Sequence, residues 1–284
     1  MDILHLSDLH FGRLHDADVG RVLRETVGRL QVDALVVSGD LSHRAKRGEL
    51  ERARSYLDAL GNGPQLVVPG NHDIPLYRFW ERLLRPHGNF DAVFSEHVRP
   101  LRLPGATIVG VDSTNALGSI EGGRVSRDQV TRLRAAFAGS CAGDWRVVVL
   151  HHHVAAFGGR ARKPPLANAA EFLAELADTS VNMVLSGHLH RAACGYASER
   201  ASIVAERDML LVQSAAATAR PRSRRYRGAY GFNRIRLGAQ GCTVEHWQLD
   251  PDRLAFEIVV SRRYHCVGPS RLQHPLGGNA IAAG

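Results

Sequence analysis

Six short apolar runs, rich in β-branched residues, recur along the first two thirds of the chain: Ile3 to Leu6, Ala34 to Val37, Leu66 to Val68, Thr107 to Val111, Val147 to Leu150 and Val181 to Leu185. Their length and composition predict buried strands. Amphipathic helical patterns lie between several of them, with Val19, Leu23, Val27 and Leu30 on one face and Leu50, Ala53, Leu57 and Leu60 on another. This βαβ alternation constrains the fold to a sheet with parallel strands. Just past the first three runs stand Asp8, Asp40 and His72, each 32 positions after the last. That interval is close to the ~30 residues of one βαβ unit. Successive units therefore deliver polar groups to one sheet edge, the carboxyl edge at which open α/β sheets bind ligands.

Ser126 with Gln129, and Asn168 with Glu171, have the spacing of capping boxes and predict two further helix starts. From about Ser202 the helical patterns fade and four strand-like segments follow, which predicts an antiparallel second sheet. The domain is expected over residues 1–264, with a loose Gly- and Pro-containing tail over 265–284. Hydrophobic residues make up 44% of the 284, enough for a large core, so disorder as the dominant state is excluded. The four cysteines form no C-x-x-C pair and read as reduced core thiols. With neither a signal-like start nor an apolar run of membrane-spanning length, the expectation is a cytoplasmic protein without membrane attachment.

The polar residues at the strand ends share one chemistry. Asp8 and His10 follow the first strand, Asp40 the second, Asn71, His72 and Asp73 the third, His151 to His153 the fifth, and His188 and His190 the sixth. In extended backbone, residues i and i+2 point the same way, so Asp8 with His10 and His188 with His190 can each project two ligands to one side. Gly39, Gly70 and Gly187 precede the key residues and suit sharp turns. Carboxylates, an amide oxygen and imidazoles together suit Fe, Mn, Zn or Co better than Ca or Mg. With 15 histidines in the chain, one H-x-H pair is expected by chance, so the weight rests on five strand ends in order. Within the triplet, His151 and His153 share a face of an extended strand and His152 points away, which leaves two positions open.

At this point the series Asp8-Leu9-His10, Gly39-Asp40, Gly70-Asn71-His72-Asp73, His151 and Gly187-His188-Leu189-His190 resembles the calcineurin-like metallophosphoesterase superfamily, over about residues 1–250. Gly39 to Arg44 and Val68 to Pro75 look most like the bacterial branch near the class III cyclic-nucleotide phosphodiesterases. The resemblance implies an α/β fold, a four-layer α/β/β/α sandwich of two mixed β-sheets flanked by helices. It also implies two divalent or mixed-valence metal ions, one held by Asp8, His10, Asp40 and His190, the other by Asp40, Asn71, His151 and His188. His153 stands where the family usually has proline.

The implied activity is hydrolysis of a phosphoester, diester or monoester, with a cyclic or other small nucleotide as the expected substrate. Two cations neutralise the phosphoryl oxygens and align a shared water of lowered pKa for in-line displacement. His72 is expected to donate to the leaving group or the phosphoryl oxygen, and Asp73 to hold its imidazole. His43, Arg44 and His152 are candidate substrate contacts, and Tyr77 a weaker one. Net charge is 36 − 28 = +8, concentrated after residue 214, where 11 basic residues face 4 acidic ones. The segment Arg220 to Arg227 reads either as a nucleic-acid or phosphate contact or as a solvated loop. A DNA nuclease and a non-catalytic scaffold are the competing classes.

Overall fold

Among the described residues, eleven strands build two face-packed sheets from both halves of the chain, and two short ones close their edges. The computed structural model describes residues 1–61, 63–118, 121–157, 163–201, 208–221, 230–266 and 272–273. Strands β1 (Asp2–Leu6), β2 (Ala34–Ser38) and β3 (Gln65–Val68) are mutually parallel, with Leu6 opposite Val37 and Ser38 opposite Val68. On its other side β1 pairs antiparallel with β10 (Gly231–Gly238), followed by β11 (Gly241–Asp250), β12 (Ala255–Cys266) and β13 (Leu272–Gln273). The second sheet runs β4 (Leu101–Leu103), β5 (Ala106–Gly110), β6 (Trp145–Val149), β7 (Met183–Ser186), β9 (Leu210–Gln213), β8 (Ala193–Tyr196), with β5, β6, β7 and β9 parallel.

Both sheets are therefore mixed, with seven and six strands. The expected antiparallel second sheet after Ser202 does not form. Strand β9 joins the parallel sheet, while β10 to β12 extend the first sheet through β1, because that is where an unpaired edge of apolar backbone remains.

Alternation along each strand makes the layers. Ile3, Val36, Leu66, Val147, Val149, Leu185, Val212 and Ile235 fill the space between the sheets. Leu4, Leu6, Leu35 and Val37 face the other way, onto α1 (Ala17–Val27) and α2 (Arg47–Asp58). Val109, Val148 and Val184 pack on α5 (Arg127–Phe137) and α6 (Ala169–Asp178) through Leu133, Phe137, Phe172 and Leu176. In the central strands β1, β2, β6 and β7 apolar residues stand at both phases of the two-residue period, the signature of sheet covered on both faces. This is the α/β/β/α sandwich. Shorter helices α3 (Phe79–Leu84), α4 (Gly88–Phe94) and α7 (Ala197–Ala201) complete it.

The capping box at Ser126 and Gln129 is formed. The one at Asn168 is not. Helix α6 starts there, but the Asn168 amide is spent on Val125, accepting from its N–H and donating to its carbonyl. Cys194 and Cys242 are buried, whereas Cys141 is exposed in the turn after α5 rather than in the core. Beyond Cys266, the expected tail lies outside the described residues apart from β13.

One buried polar chain interrupts the apolar interior. His246 Nδ1 donates to Asn233 Oδ1 (2.6 Å), Asn233 Nδ2 donates to His5 Nδ1 (3.2 Å), His5 Nε2 donates to Ser38 Oγ (2.9 Å), and Ser38 Oγ donates to the Leu6 carbonyl. These residues sit side by side on β11, β10, β1 and β2. His5 must stay neutral to accept from Asn233. Burial, with His246 adding and Asp8 opposing, pushes it down to about 3; burial and then Arg262 push His246 down to about 4. Between those values and the unfolded pKa of ~6.5 the unfolded chain binds more protons, so folding stability is fully present above about pH 6.5 and falls as pH drops, by up to ~1.4 kcal/mol per histidine per pH unit. Urea unfolding in chelator between pH 7 and 4 is expected to show a shallower loss for His5→Gln than for the unaltered chain. Parallel curves would show that His5 is protonated in the folded state.

Candidate metal centre

The loops leaving β1 and β2 stay in register after the strands end. Asp8 N donates to the Gly39 carbonyl (3.0 Å), His10 N to that of Asp40 (2.9 Å) and Phe11 N to that of Leu41 (2.7 Å). Across the sandwich, Gly187 N donates to the His151 carbonyl (3.0 Å), and Ala217 N donates to that of Ser7 (2.8 Å). The carboxyl ends of both sheets thus meet at one place, rather than along the edge of one sheet. The side chains converge there by a different backbone route from the extended one expected. Asp8, His10, Asp40, His188 and His190 all have positive φ, between 48° and 72°. Such left-handed residues cost energy for any non-glycine, least for Asp, Asn and His, and cluster where function over-determines the backbone. Gly39, at φ 90°, uses its conformational freedom. Gly70 and Gly187 do not; they are small because a Cβ would fall 2.2 Å from Asp40 Oδ1 and 1.8 Å from Ser7 Oγ.

An unbroken run of contacts links all seven residues named as ligands. His190 Nε2 lies 3.0 Å from Asp8 Oδ1, which is 3.6 Å from His10 Nε2. His10 Nε2 lies 3.3 Å from Asp40 Oδ2, which is 3.4 Å from His151 Nε2. His151 Nε2 is then 3.1 Å from both Asn71 Oδ1 and His188 Nδ1. All but His190 are buried. The backbone fixes the other edge of the His151 ring and of both carboxylates. His151 Nδ1 donates to the Ser38 carbonyl (2.8 Å), which turns Nε2 inward, and His188 N and His72 N donate to Asp8 Oδ2 and Asp40 Oδ1 (3.0 and 2.8 Å). Such outer partners orient metal-binding groups.

Burial raises a carboxylate pKa, yet Asp8 and Asp40 are held well below the usual range, by His190 and His10 in the first case and by His151, His72 and His10 in the second. Burial lowers His151, but Asp40, Asp8 and the Ser38 carbonyl outweigh it and push the ring up to about 9. Burial pushes His10 down to about 4 and His188 well below its ordinary value. The pocket thus favours positive charge at its centre while leaving buried imidazole nitrogens without a hydrogen bond. Asp8 Oδ1, both His10 nitrogens and His188 Nε2 are buried without a hydrogen bond. Orphaned donors of this kind require a partner. The nitrogen and oxygen set fits transition-metal ions, and the triples Asp8, His10, His190 and Asp8, Asp40, His151 each bring their donor atoms within 4.8 Å of one another.

His72 stands beside this run, its ring 4.7 Å from that of His10, edge-on, with Nδ1 donating to the His43 carbonyl (3.0 Å). Asp73 does not hold it, contrary to expectation. The Asp73 carboxylate turns away and accepts from the N–H groups of Leu41, Ser42 and Gly70 and from Ser42 Oγ, stapling the loop after β2 to the loop after β3. Burial and Asp40 push it up to about 6 against these four donors. It is a positioning residue for the loops.

His43 stacks on His72 at 5.6 Å, and the Arg44 guanidinium lies 4.6 Å over the Tyr77 ring. His152 is buried rather than open to a substrate, with Nδ1 on Ser113 Oγ (2.9 Å) and its ring 4.7 Å from His188. His153 is buried too, in the lining behind His188. Sequence reasoning missed Ser38, whose carbonyl fixes His151, and Lys163, whose Nζ donates to the His188 carbonyl (3.1 Å). Neither carries a motif signal. Of the Arg-rich segment only Arg220 and Pro221 are described, with Arg220 paired to Asp16; 222–229 lie outside the described residues. Among the described residues no helix is long and apolar enough to cross a membrane.

Residues 1–192 match the family of calcineurin-like phosphoesterases. A probable cyclic nucleotide phosphodiesterase of Synechococcus sp. is 32% identical over 162 residues, which is 56% of this chain and 58% of that protein. The match therefore spans less than two thirds of that relative. Among solved structures, a dimetal phosphatase from Danio rerio superposes with a TM-score of 0.60 at 14% identity, covering 91% of this chain and 98% of that one. A purple acid phosphatase from yellow lupin (Lupinus luteus) gives 0.66 at 10% identity, covering 98% and 57%. Those two likenesses speak to the fold.

Proposed function

Since the chain belongs to the calcineurin-like phosphoesterase family, we propose that it hydrolyses a phosphodiester of a small nucleotide, a cyclic nucleotide first among them, at the centre formed by Asp8, His10, Asp40, Asn71, His151, His188 and His190. The observation that carries this reading is the unbroken run of seven buried or half-buried donors with orphaned atoms. Asp8, His10, Asp40 and His190 would hold one ion, and Asp40, Asn71, His151 and His188 the other. When bound, two such cations neutralise the phosphoryl oxygens and lower the pKa of a water for in-line displacement.

The chain supplies the rest. Asp40 touches both halves of the run through Oδ2, so its single negative charge would serve both ions. The His43 carbonyl fixes the His72 ring by Nδ1–H, so the ring donates from Nε2–H as the imidazolium, passing that proton to the departing oxygen and returning to the neutral Nδ1–H form. Arg44, spread on Tyr77 next to this ring pair, meets the substrate's anionic end. The relative described as a probable cyclic nucleotide phosphodiesterase supports the substrate class.

The test is to count metals in the purified protein and compare hydrolysis of bis(p-nitrophenyl) phosphate, p-nitrophenyl phosphate, cyclic AMP and single-stranded DNA after loading with Mn, Fe, Zn or Co. Two ions per chain with diester and cyclic AMP turnover are expected. Preferential cutting of DNA would replace the substrate class, and two ions with no turnover on any ester would leave a scaffold.

A further inference from the structure

Helix α3 is amphipathic in the wrong direction for a helix of a monomer. Arg78, Glu81 and Arg82 recur at helical spacing on the side that faces the protein. Arg78 pairs with Glu81 and donates to the carbonyls of Arg44 (3.1 Å) and Ala45 (2.9 Å). Arg82 donates to the carbonyls of Ala116 (2.6 Å) and Gly118 (2.9 Å), and Asn89 donates to Glu81. No residue of the helix is buried. The apolar residues form the opposite face: Phe79, Trp80, Leu83 and Leu84 are 64%, 70%, 44% and 73% exposed, Tyr77 just before them 75%, and Leu117, in the loop that Arg82 holds, 81%.

Three aromatic rings at this exposure and three leucines present on the order of 700 Å² of apolar surface, taking ~150–250 Å² per aromatic side chain. The largest patch on a typical monomer is ~300–600 Å². A stable interface covers ~800 Å² per partner, with Trp and Tyr as its anchors. We propose that this face is the two-fold interface of a homodimer, α3 and the Leu117 loop of one copy packing on the same elements of the second.

Charge selects this occupant over a lipid surface. Arg78 and Arg82 are turned inward onto carbonyls and Glu81, and Arg44 lies over the Tyr77 ring, so among residues 77–85 only Arg85 is an exposed cation, in place of the Lys- and Arg-rich border that draws an interfacial helix to anionic headgroups. The same inward turn reduces the like-charge repulsion that a two-fold axis would otherwise impose. An isologous contact needs one self-complementary patch, and this face is one.

Sedimentation velocity of the full chain from about 1 to 100 µM is expected to show twice the chain mass. The double variant Trp80→Ser, Leu84→Ser is expected to weaken association about 30-fold or more, with an unchanged circular dichroism spectrum. A chain that stays monomeric through 100 µM overturns the proposal, as does a dimer that survives the double variant. So does Trp80-dependent binding to phosphatidylcholine/phosphatidylglycerol vesicles by a monomer, which would assign the face to a membrane. None of these outcomes depends on metal content or turnover.

Discussion

Replacing Asp40 by Asn is expected to lower kcat/KM at least about 10³-fold, on the order of 4 kcal/mol of transition-state stabilisation, and to reduce bound metal below two ions per chain. Asparagine preserves the shape and the carbonyl oxygen that accepts from His72 N. It removes only the charge, and that charge sits within 3.4 Å of both His10 Nε2 and His151 Nε2. An anion between two dications relieves their mutual repulsion, so its neutral isostere weakens both sites together. The measurement is metal analysis alongside steady-state kinetics. An Asn variant that keeps two ions and its turnover would remove Asp40 from the shared position.

The second large effect belongs to His72→Ala, expected to slow turnover about 10²- to 10⁴-fold while both ions stay bound. The loss should be greatest for poor leaving groups and smallest for p-nitrophenolate, which departs without a proton. Geometry makes the metal count decisive. The donor atoms of His10, His43 and His72 also lie within 4.8 Å of one another, so a ligand role for His72 is sterically open. Loss of an ion in the variant, with an equal loss for all leaving groups, would establish that role instead of proton donation.

The seven proposed ligands were legible because each follows an apolar run, and a polar residue beyond the end of a buried strand has few other places to go. The layers were legible from the family resemblance and from apolar residues at both phases of the strands. Backbone shape was not. The left-handed angles at Asp8, His10, Asp40, His188 and His190 arise from contacts between two sheets, which no local pattern encodes. The role of Asp73 was hidden for a related reason: its partners, Leu41 and Ser42, are over 30 positions away. His5 was invisible because it sits inside an apolar run, where only its cross-strand neighbour Asn233 explains it. Strand β9 was read into the wrong sheet because a four-residue apolar segment fits either one. Helix α3 escaped notice since its apolar face points outward.

Strand β1 lies in the interior of its sheet, between β2, which follows closely, and β10, which begins at Gly231. During synthesis its second flank therefore stays open while more than two hundred further residues emerge from the ribosome. Closing a pair so distant in sequence is slow, and an uncovered apolar strand edge invites pairing with other chains. The aspartate and histidine just beyond β1 inherit this delay: their loop acquires its last backbone support, from Ala217 to Ser7, only late in translation. Assembly of the centre is thus tied to the arrival of the C-terminal strands, although none of the seven residues lies on them.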